Sequence, residues 1–270
     1  MFCRLGVGLA LWASALGAQS LEFRTATSIT AVHELAGGFS ALEVTVADHA
    51  LTVSDRGRFF DLHMVRNERG EIESVEATPA DIAMSTRDTE GLAIQGDRVF
   101  ASFEGPAVVR EIGRSILPPH PDFRSMHNNG ALEALAIDPT GRLVTLAERG
   151  SGSTMPLYRF AEGAWAIVAQ VPRRDGFSPV GADFGPEGRL YMLERQFTLI
   201  GFRSRIRRFN LEAPDLAEAV LWTSYALQHD NLEGISVWTD PAGDVRLTLV
   251  SDDNFQPFQR SQVVEYILID

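Results

Sequence analysis

Short runs of apolar and β-branched residues alternate with turns rich in glycine, proline, asparagine and aspartate along the chain. Leu42–Val46 runs to a turn at Ala47–Asp48–His49. Ala50–Ser54 follows, then Phe59–Arg66, a turn at Asn67–Gly70, and Ile72–Thr78. Alternation of this kind predicts short strands, here four in succession. The pattern returns in Leu132–Ile137, the turn Asp138–Gly141, Leu143–Ala147, Pro156–Phe160 and Ala166–Val171. It returns again around the turns Gly185–Gly188 and Asp240–Asp244. Glycine and proline at these turns fit hairpin geometry.

One phrase opens each group of strands. Its copies are SALEVTV at Ser40–Val46, DTEGLAI at Asp88–Ile94, GALEALA at Gly130–Ala136, VGADFGP at Val180–Pro186 and NLEGISV at Asn231–Val237. Each carries an acid: Glu43, Glu90, Glu133, Asp183 and Glu233, separated by 47, 43, 50 and 50 residues. A period of this size predicts an all-β propeller, one repeat to a blade. The fifth repeat has three strands, and Leu21–Ile29 is a strand with no repeat of its own. That segment is expected to complete the last blade and tie the ring shut. Five blades result; six, which length alone would accommodate, is the alternative. Two longer insertions, Glu111–Gly130 and Phe197–Arg208, are expected as rim loops.

The N-terminus reads differently. Arg4 precedes an apolar and small-residue run from Leu5 to Leu16, with processing signals ending at Ala18. Residues 1–18 are expected to be a secretory signal peptide, and 19–270 one propeller domain. The run is short for a bilayer span, so no stable membrane insertion is expected. Cys3 is the one cysteine and leaves with the signal. The mature chain then has neither disulfide nor thiolate chemistry. The periplasm or the external medium is the expected destination, and a monomer the expected state. A net charge of −12 excludes nucleic acid as the natural partner and suits hard cations such as calcium. All 24 basic residues are arginine.

A second polar position ends the second strand of each repeat: Asp55, Glu104, Glu148, Glu194 and Asp252. In a propeller the start of strand one and the end of strand two lie on the same face. Ten carboxylates are thus expected at one end of the ring, where like charge raises pKa values unless metal or arginine compensates. Arg56, Arg149 and Arg195 directly follow three of the acids. Two loops look alike, His127–Asn129 before Glu133 and His229–Asn231 before Glu233. Either histidine is a candidate proton carrier, and solvated loops with side-chain caps are the equal alternative. His33, His49, His63 and His120 lack metal-ligand spacing. GxSxG, HExxH, P-loop and Rossmann patterns are absent.

The repeated phrases around Glu90, Glu133 and Glu233, the Glu148–Arg149 pair and the late Ser251–Phe255 stretch resemble the esterase-like, phytase-like family of exported bacterial β-propellers. The resemblance runs from Gln19 to Asp270. It implies likeness to calcium-dependent propeller phytases, which hold calcium in an acidic channel and hydrolyse phosphomonoesters. Carried over, Glu43, Glu90, Glu133, Asp183 and Glu233 would be channel-side ligands of calcium or another divalent ion, joined by Asp252. Those phytases have six blades and use lysines near the phosphates, so a smaller phosphoester or carboxylic ester is expected here.

The sequence therefore supports two classes of function. The first is a metal-dependent hydrolase of a small anionic ester or phosphoester, with Glu133, Glu233, His127, His229 and Arg149 at the reaction. The alternative is a non-catalytic periplasmic binding or scaffold propeller whose calcium is structural. Fold alone does not choose between them.

Overall fold

A computed structural model describes residues 19–31, 33, 36–82, 88–126, 130–150 and 152–269. The expected signal peptide and His127 lie outside the described residues. After the strand β1 (Ser20–Ala31), four-stranded antiparallel sheets follow one another around a ring. Blade one is β2 (Phe39–Val46), β3 (His49–Ser54), β4 (Phe59–Arg66) and β5 (Ile72–Pro79). Blade two has three strands among the described residues: β6 (Thr89–Gln95), β7 (Arg98–Phe103) and β8 (Val108–Glu111). Blade three is β9 (Leu132–Ile137), β10 (Leu143–Ala147), β11 (Thr154–Ala161) and β12 (Ala164–Pro172). Blade four is β13 (Ser178–Phe184), β14 (Leu190–Thr198), β15 (Gly201–Phe209) and β16 (Ala219–Thr223). Blade five is β17 (Asn231–Thr239), β18 (Val245–Asp252) and β19 (Gln262–Ile269), with β1 as its outer strand.

The architecture is a five-bladed propeller. Its inner strands touch in the closed order β2, β6, β9, β13, β17 and back to β2. The apolar core is correspondingly divided into five clusters, one at each interface between neighbouring blades. Alternating strands bury one side chain in two against the next blade, and the close packing of those faces sets the ring. In blade two the 3-10 turn Pro121–Ser125 stands where others have a fourth strand. It buries Phe123 against Tyr158 and Trp165 of blade three. Among the described residues no helix is long and apolar enough to cross a membrane.

Ring closure joins the two ends of the chain. Ser20–Ser28 of β1 pairs antiparallel with β19, and Ile29–Ala31 pairs parallel with Val75–Ala77 of β5. One strand thus belongs to the last blade and then to the first. Beneath it, Glu265 of β19 is fully buried and accepts from both ends of the Arg66 fork at 2.8 and 2.9 Å. It also accepts from Arg246 at 2.7 Å, while Arg246 donates to Asp240 at 2.6 Å. A shared carboxylate with paired donors offsets the desolvation of the charges it brings together.

Each inner strand carries one extra residue near its start. The pairing with the second strand slips at Ser40, Glu90, Glu133, Val180 and Glu233. Such bulges re-aim a side chain. In three blades a glycine follows, because the neighbouring backbone comes too close for a Cβ. A Cβ on Gly181 would lie 2.5 Å from the Glu233 carbonyl oxygen, and one on Gly234 2.8 Å from Ala41 Cα and Leu42 N. Gly91 stands 2.9 Å from the Glu133 carbonyl in the same sense. Gly234→Ala should therefore force blades five and one apart. We expect a loss of about 1–3 kcal/mol in urea unfolding, and an unchanged midpoint would show that the interface yields.

Candidate acidic mouth of the ring

The bulges sort the repeated acids into two levels. Glu90, Glu133 and Glu233 occupy the bulge itself, where blades one and four carry Ser40 and Val180. Glu43 and Asp183 lie three residues further along their strands, about 10 Å down the channel. The expected single ring of five acids is therefore two groups. The phrases of blades one and four match the others in sequence but are offset by three residues in register. Ser236 of blade five stands level with the lower pair. Its hydroxyl donates to Glu43 Oε2 at 3.1 Å and accepts from Val44 N at 3.0 Å. Asp183 accepts from Val237 N at 2.6 Å and from Phe184 N at 2.7 Å. The lower acids thus knit blades four, five and one together.

The second-strand ends contain one exception to the expected ring of acids. Glu194, not Arg195, pairs with the residue before the bulge in blade four. The position matching Asp55, Glu104, Glu148 and Asp252 is therefore held by Arg195. Glu194 turns away, fully buried, to accept from Arg205 at 2.6 Å and Arg207 at 2.8 Å. The mouth gathers Glu90, Glu133, Glu233, Asp55, Glu104, Glu148 and Asp252 around the Arg195 guanidinium, with Arg56 and Arg149 beside Asp55 and Glu148. Arg195 donates to Glu233, to Asn231 Oδ1 at 2.8 Å and to Glu148 at 3.1 Å.

Crowding and burial leave these carboxyls short of charge compensation. Burial, then the neighbouring Glu233 and Glu104, pushes Glu90 up to about 9. Burial and Glu233 push Asp252 up to about 8. Burial raises Glu133 well above the carboxylate range, helped by the charge of Glu90 and a hydrogen bond to Glu104. Glu104 also accepts from the Gly130 and Ala131 backbone N–H groups. Glu233 is raised by burial despite Arg195. At the lower level burial pushes Asp183 up to about 7, and burial beside Asp183 raises Glu43. Among the described residues, buried Asp55 Oδ1 and Ser40 Oγ have no hydrogen-bond partner. The donors are all oxygen, the chemistry a hard cation takes, although no three of these carboxylates bring oxygens within 4.8 Å of one another among the described residues.

The other expected site residues fall into place unevenly. Arg149 sits at the rim, exposed, 3.6 Å from Glu148. Asp252 caps the turn after its strand by accepting from Asn254 N at 2.6 Å. His229 is not turned to the acids. Its Nε2 lies 2.7 Å from the Tyr266 hydroxyl, and its ring packs on Phe23 and Trp222 of the outer strands. Burial lowers its pKa, so it is neutral at pH 7. The loop bends it outward, which the spacing to Glu233 did not indicate. The Phe197–Arg208 insertion is the β14–β15 hairpin. Exposed Phe197, Leu199 and Ile200 at its end, with Leu227 and Phe258, border a 650 Å³ cleft. Phe202 at the cleft lies 5.8 Å from Arg195, linking it to the mouth. Phe255 instead packs beneath Arg56.

Sequence spacing also misjudged two histidines. Asp48, His49 and His63 bring their ligand atoms within 4.8 Å of one another, the one such group of three among the described residues. His49 and His63 are direct cross-strand partners in β3 and β4. Pairing between strands, invisible in residue spacing, brings them together on the face opposite the mouth.

The raised carboxyls have a consequence for stability. Between the ordinary carboxylate range and about pH 9 they hold more protons folded than unfolded. Stability without divalent cations therefore falls as pH rises through that window. Glu111, held low by hydrogen bonds from Arg98, works the other way and only in acid. In excess chelator the melting temperature should decline from about pH 5 to about pH 9, and Glu90→Gln should flatten the decline. A profile that rises over this range would contradict a protonated mouth.

Comparison with known proteins bears on the family. The chain is similar in structure to the hydrazine synthase of Kuenenia stuttgartiensis, with 11% identity and a TM-score of 0.44, over 87% of this chain and 63% of that one. It thus spans less than two thirds of that relative. It is also similar to an α-L-arabinofuranosidase from Podospora anserina solved with cellotriose, with 10% identity and a TM-score of 0.49, over 92% and 98% of the two chains. A glucose dehydrogenase gives 14% identity and a TM-score of 0.42, over 87% and 83%. None of these distant likenesses bears on function. No curated protein matches the chain. Residues 34–255, which take in blades one to four and the first two strands of blade five, match the family described as "Phytase-like: Esterase-like activity of phytase", and the chain belongs to that family.

Proposed function

We propose that the acidic mouth is the active site of a hydrolase acting on a small anionic ester, either a phosphoester or a carboxylic ester. The observation that carries this reading is the crowd of buried, proton-retaining carboxyls around Arg195. Family membership supports it. Glu90, Glu233, Asp252 and the orphaned Asp55 oxygen would hold a divalent cation, calcium by preference because every donor is a hard oxygen. When bound, such a cation polarises the ester oxygen and acidifies water. Arg195 is fixed by Asn231 and Glu148, so its charge is already oriented before substrate arrives. Glu133, whose pKa burial raises well above the ordinary carboxylate range, would give a proton to a leaving group, a role the outward-turned His229 would not fill. Exposed Arg149 at the rim would draw an anion in, and the apolar cleft beside Arg195 suits the carbon body of an ester. In this reading residues 1–18 are removed on export to the periplasm or the medium, and the mature chain works as a monomer.

A second reading rests on the lower acids. Glu43 and Asp183 bind strand backbone and Ser236 across blade interfaces. A non-catalytic propeller would use its upper acids similarly, with calcium only as a brace. Turnover separates the two. The protein should hydrolyse a p-nitrophenyl phosphate or carboxylate ester in the presence of calcium, and Glu133→Gln should lower the rate by about 10²–10⁴-fold while melting stays cooperative. Retained turnover in both Glu133→Gln and Glu233→Gln would refute the assignment, and no turnover across the panel would favour the binding reading. Excess calcium over chelator should raise the melting temperature, by an amount equivalent to about 2.7 kcal/mol at a hundredfold excess over Kd. Equal melting temperatures would remove the cation from either reading.

A further inference from the structure

We propose that Asp48, His49 and His63 form a binding site for a divalent transition-metal ion on the face of the propeller opposite the acidic mouth. Three features of blade one build it. His49 opens β3 and His63 lies in the middle of β4, and the two are Cα partners, so both side chains leave the same face of the sheet. Their ring centroids are 4.9 Å apart at an interplanar angle of 34°. Asp48, in the turn between β2 and β3, is held beside them because its carbonyl accepts from Met64 N at 2.8 Å. Its Oδ2 lies 3.9 Å from His49 Nε2.

The ligand atoms lie within 4.8 Å of one another, as far apart as the present rotamers set them. Ligands around a tetrahedral zinc ion stand roughly 3–3.5 Å apart. All three side chains reach solvent, with Asp48 and His49 about half exposed, so small χ rotations close the gap without moving backbone. The backbone is fixed by the β3–β4 ladder and the Asp48–Met64 hydrogen bond, so little ordering is lost on binding. His63 is also the Cα partner of Glu76 in β5. That carboxylate leaves the same face and adds negative charge beside the ion.

Two imidazoles with one carboxylate favour zinc, copper or nickel over calcium. Three protein ligands leave an open position for water or an external group. The site therefore differs in chemistry and position from the oxygen-only mouth, and it stands whether or not the mouth is catalytic.

The test is titration calorimetry of the untagged protein with zinc chloride in excess calcium, which occupies the hard-oxygen donors. We expect one zinc per chain. His63→Ala and His49→Ala should each weaken binding by more than about tenfold, since even loss of an indirect partner costs that much. Glu133→Gln, altered only at the mouth, should bind zinc as the parent does. Circular dichroism of both histidine variants should show an unchanged fold, because both side chains are exposed. Absence of zinc binding would overturn the proposal. So would binding that survives both histidine substitutions, or binding lost in Glu133→Gln, which would put the ion in the mouth.

Discussion

Everything in this molecule depends on a single non-local pairing, that of residues 20–31 with the last blade and the first. Blades stack through their faces, and a row of stacked sheets has two open ends. β1 removes both by pairing antiparallel with β19 and then parallel with β5. Only in a closed ring do five inner strands converge on one axis. The acids at the mouth exert their effect through that convergence: Glu90 feels Glu233, and Glu133 feels both. Opening the ring would let each carboxyl regain water and an ordinary pKa. Closure and electrostatic strain are thus linked, and the apolar interfaces together with the Arg66–Glu265–Arg246 network oppose the repulsion.

The inner-strand bulge turns this architecture into a site. A regular strand pointed at the axis would alternate between channel and core, leaving little freedom at the rim. One extra residue at the start of each inner strand redirects a side chain toward the mouth while leaving the strand below in register. Blades two, three and five use glutamate there, blade one serine and blade four valine. In blade four the bulge valine, Val180, instead joins the apolar cluster between blades four and five. Glycine after the bulge in blades two, four and five lets neighbouring backbones approach closely enough to bring the carboxyls together.

Much of this was legible in the chain. The recurring phrases marked every inner strand, and the unrepeated Leu21–Ile29 segment marked the closing strand. What the phrases hid was register. TEGLAI and LEGISV place their glutamates in the bulge, whereas SALEVTV and VGADFGP look parallel but place theirs three residues deeper. A one-residue bulge cannot be read from apolar alternation, because the pattern on either side of it stays intact. The same ambiguity at Glu194–Arg195 made the buried partner of Arg205 and Arg207 look like a member of the rim. The histidines failed for another reason. His229 is drawn outward by Tyr266, Trp222 and Phe23, each distant in sequence or in another strand. His49 and His63 meet only because β3 and β4 pair.

The placement of Arg195 gives the mouth a direction. Four of the five second-strand ends are acids, and blade four alone supplies a guanidinium. It bonds Glu148 on one side and Glu233 on the other. Of the others, Asp252, Asp55, Glu90 and Glu104 belong to blades five, one and two, and Glu133 to blade three. Asp252 and Glu90 are raised and Asp55 Oδ1 lacks a partner. A cation attracted by the field would settle on the side of blades five, one and two, while an anion would meet Arg195 and Arg149 across the axis. An ester needs both charges at once: positive charge where negative charge develops, and a proton for the group that leaves. In the proposed reading Glu133, raised by burial and hydrogen-bonded to Glu104, would supply that proton.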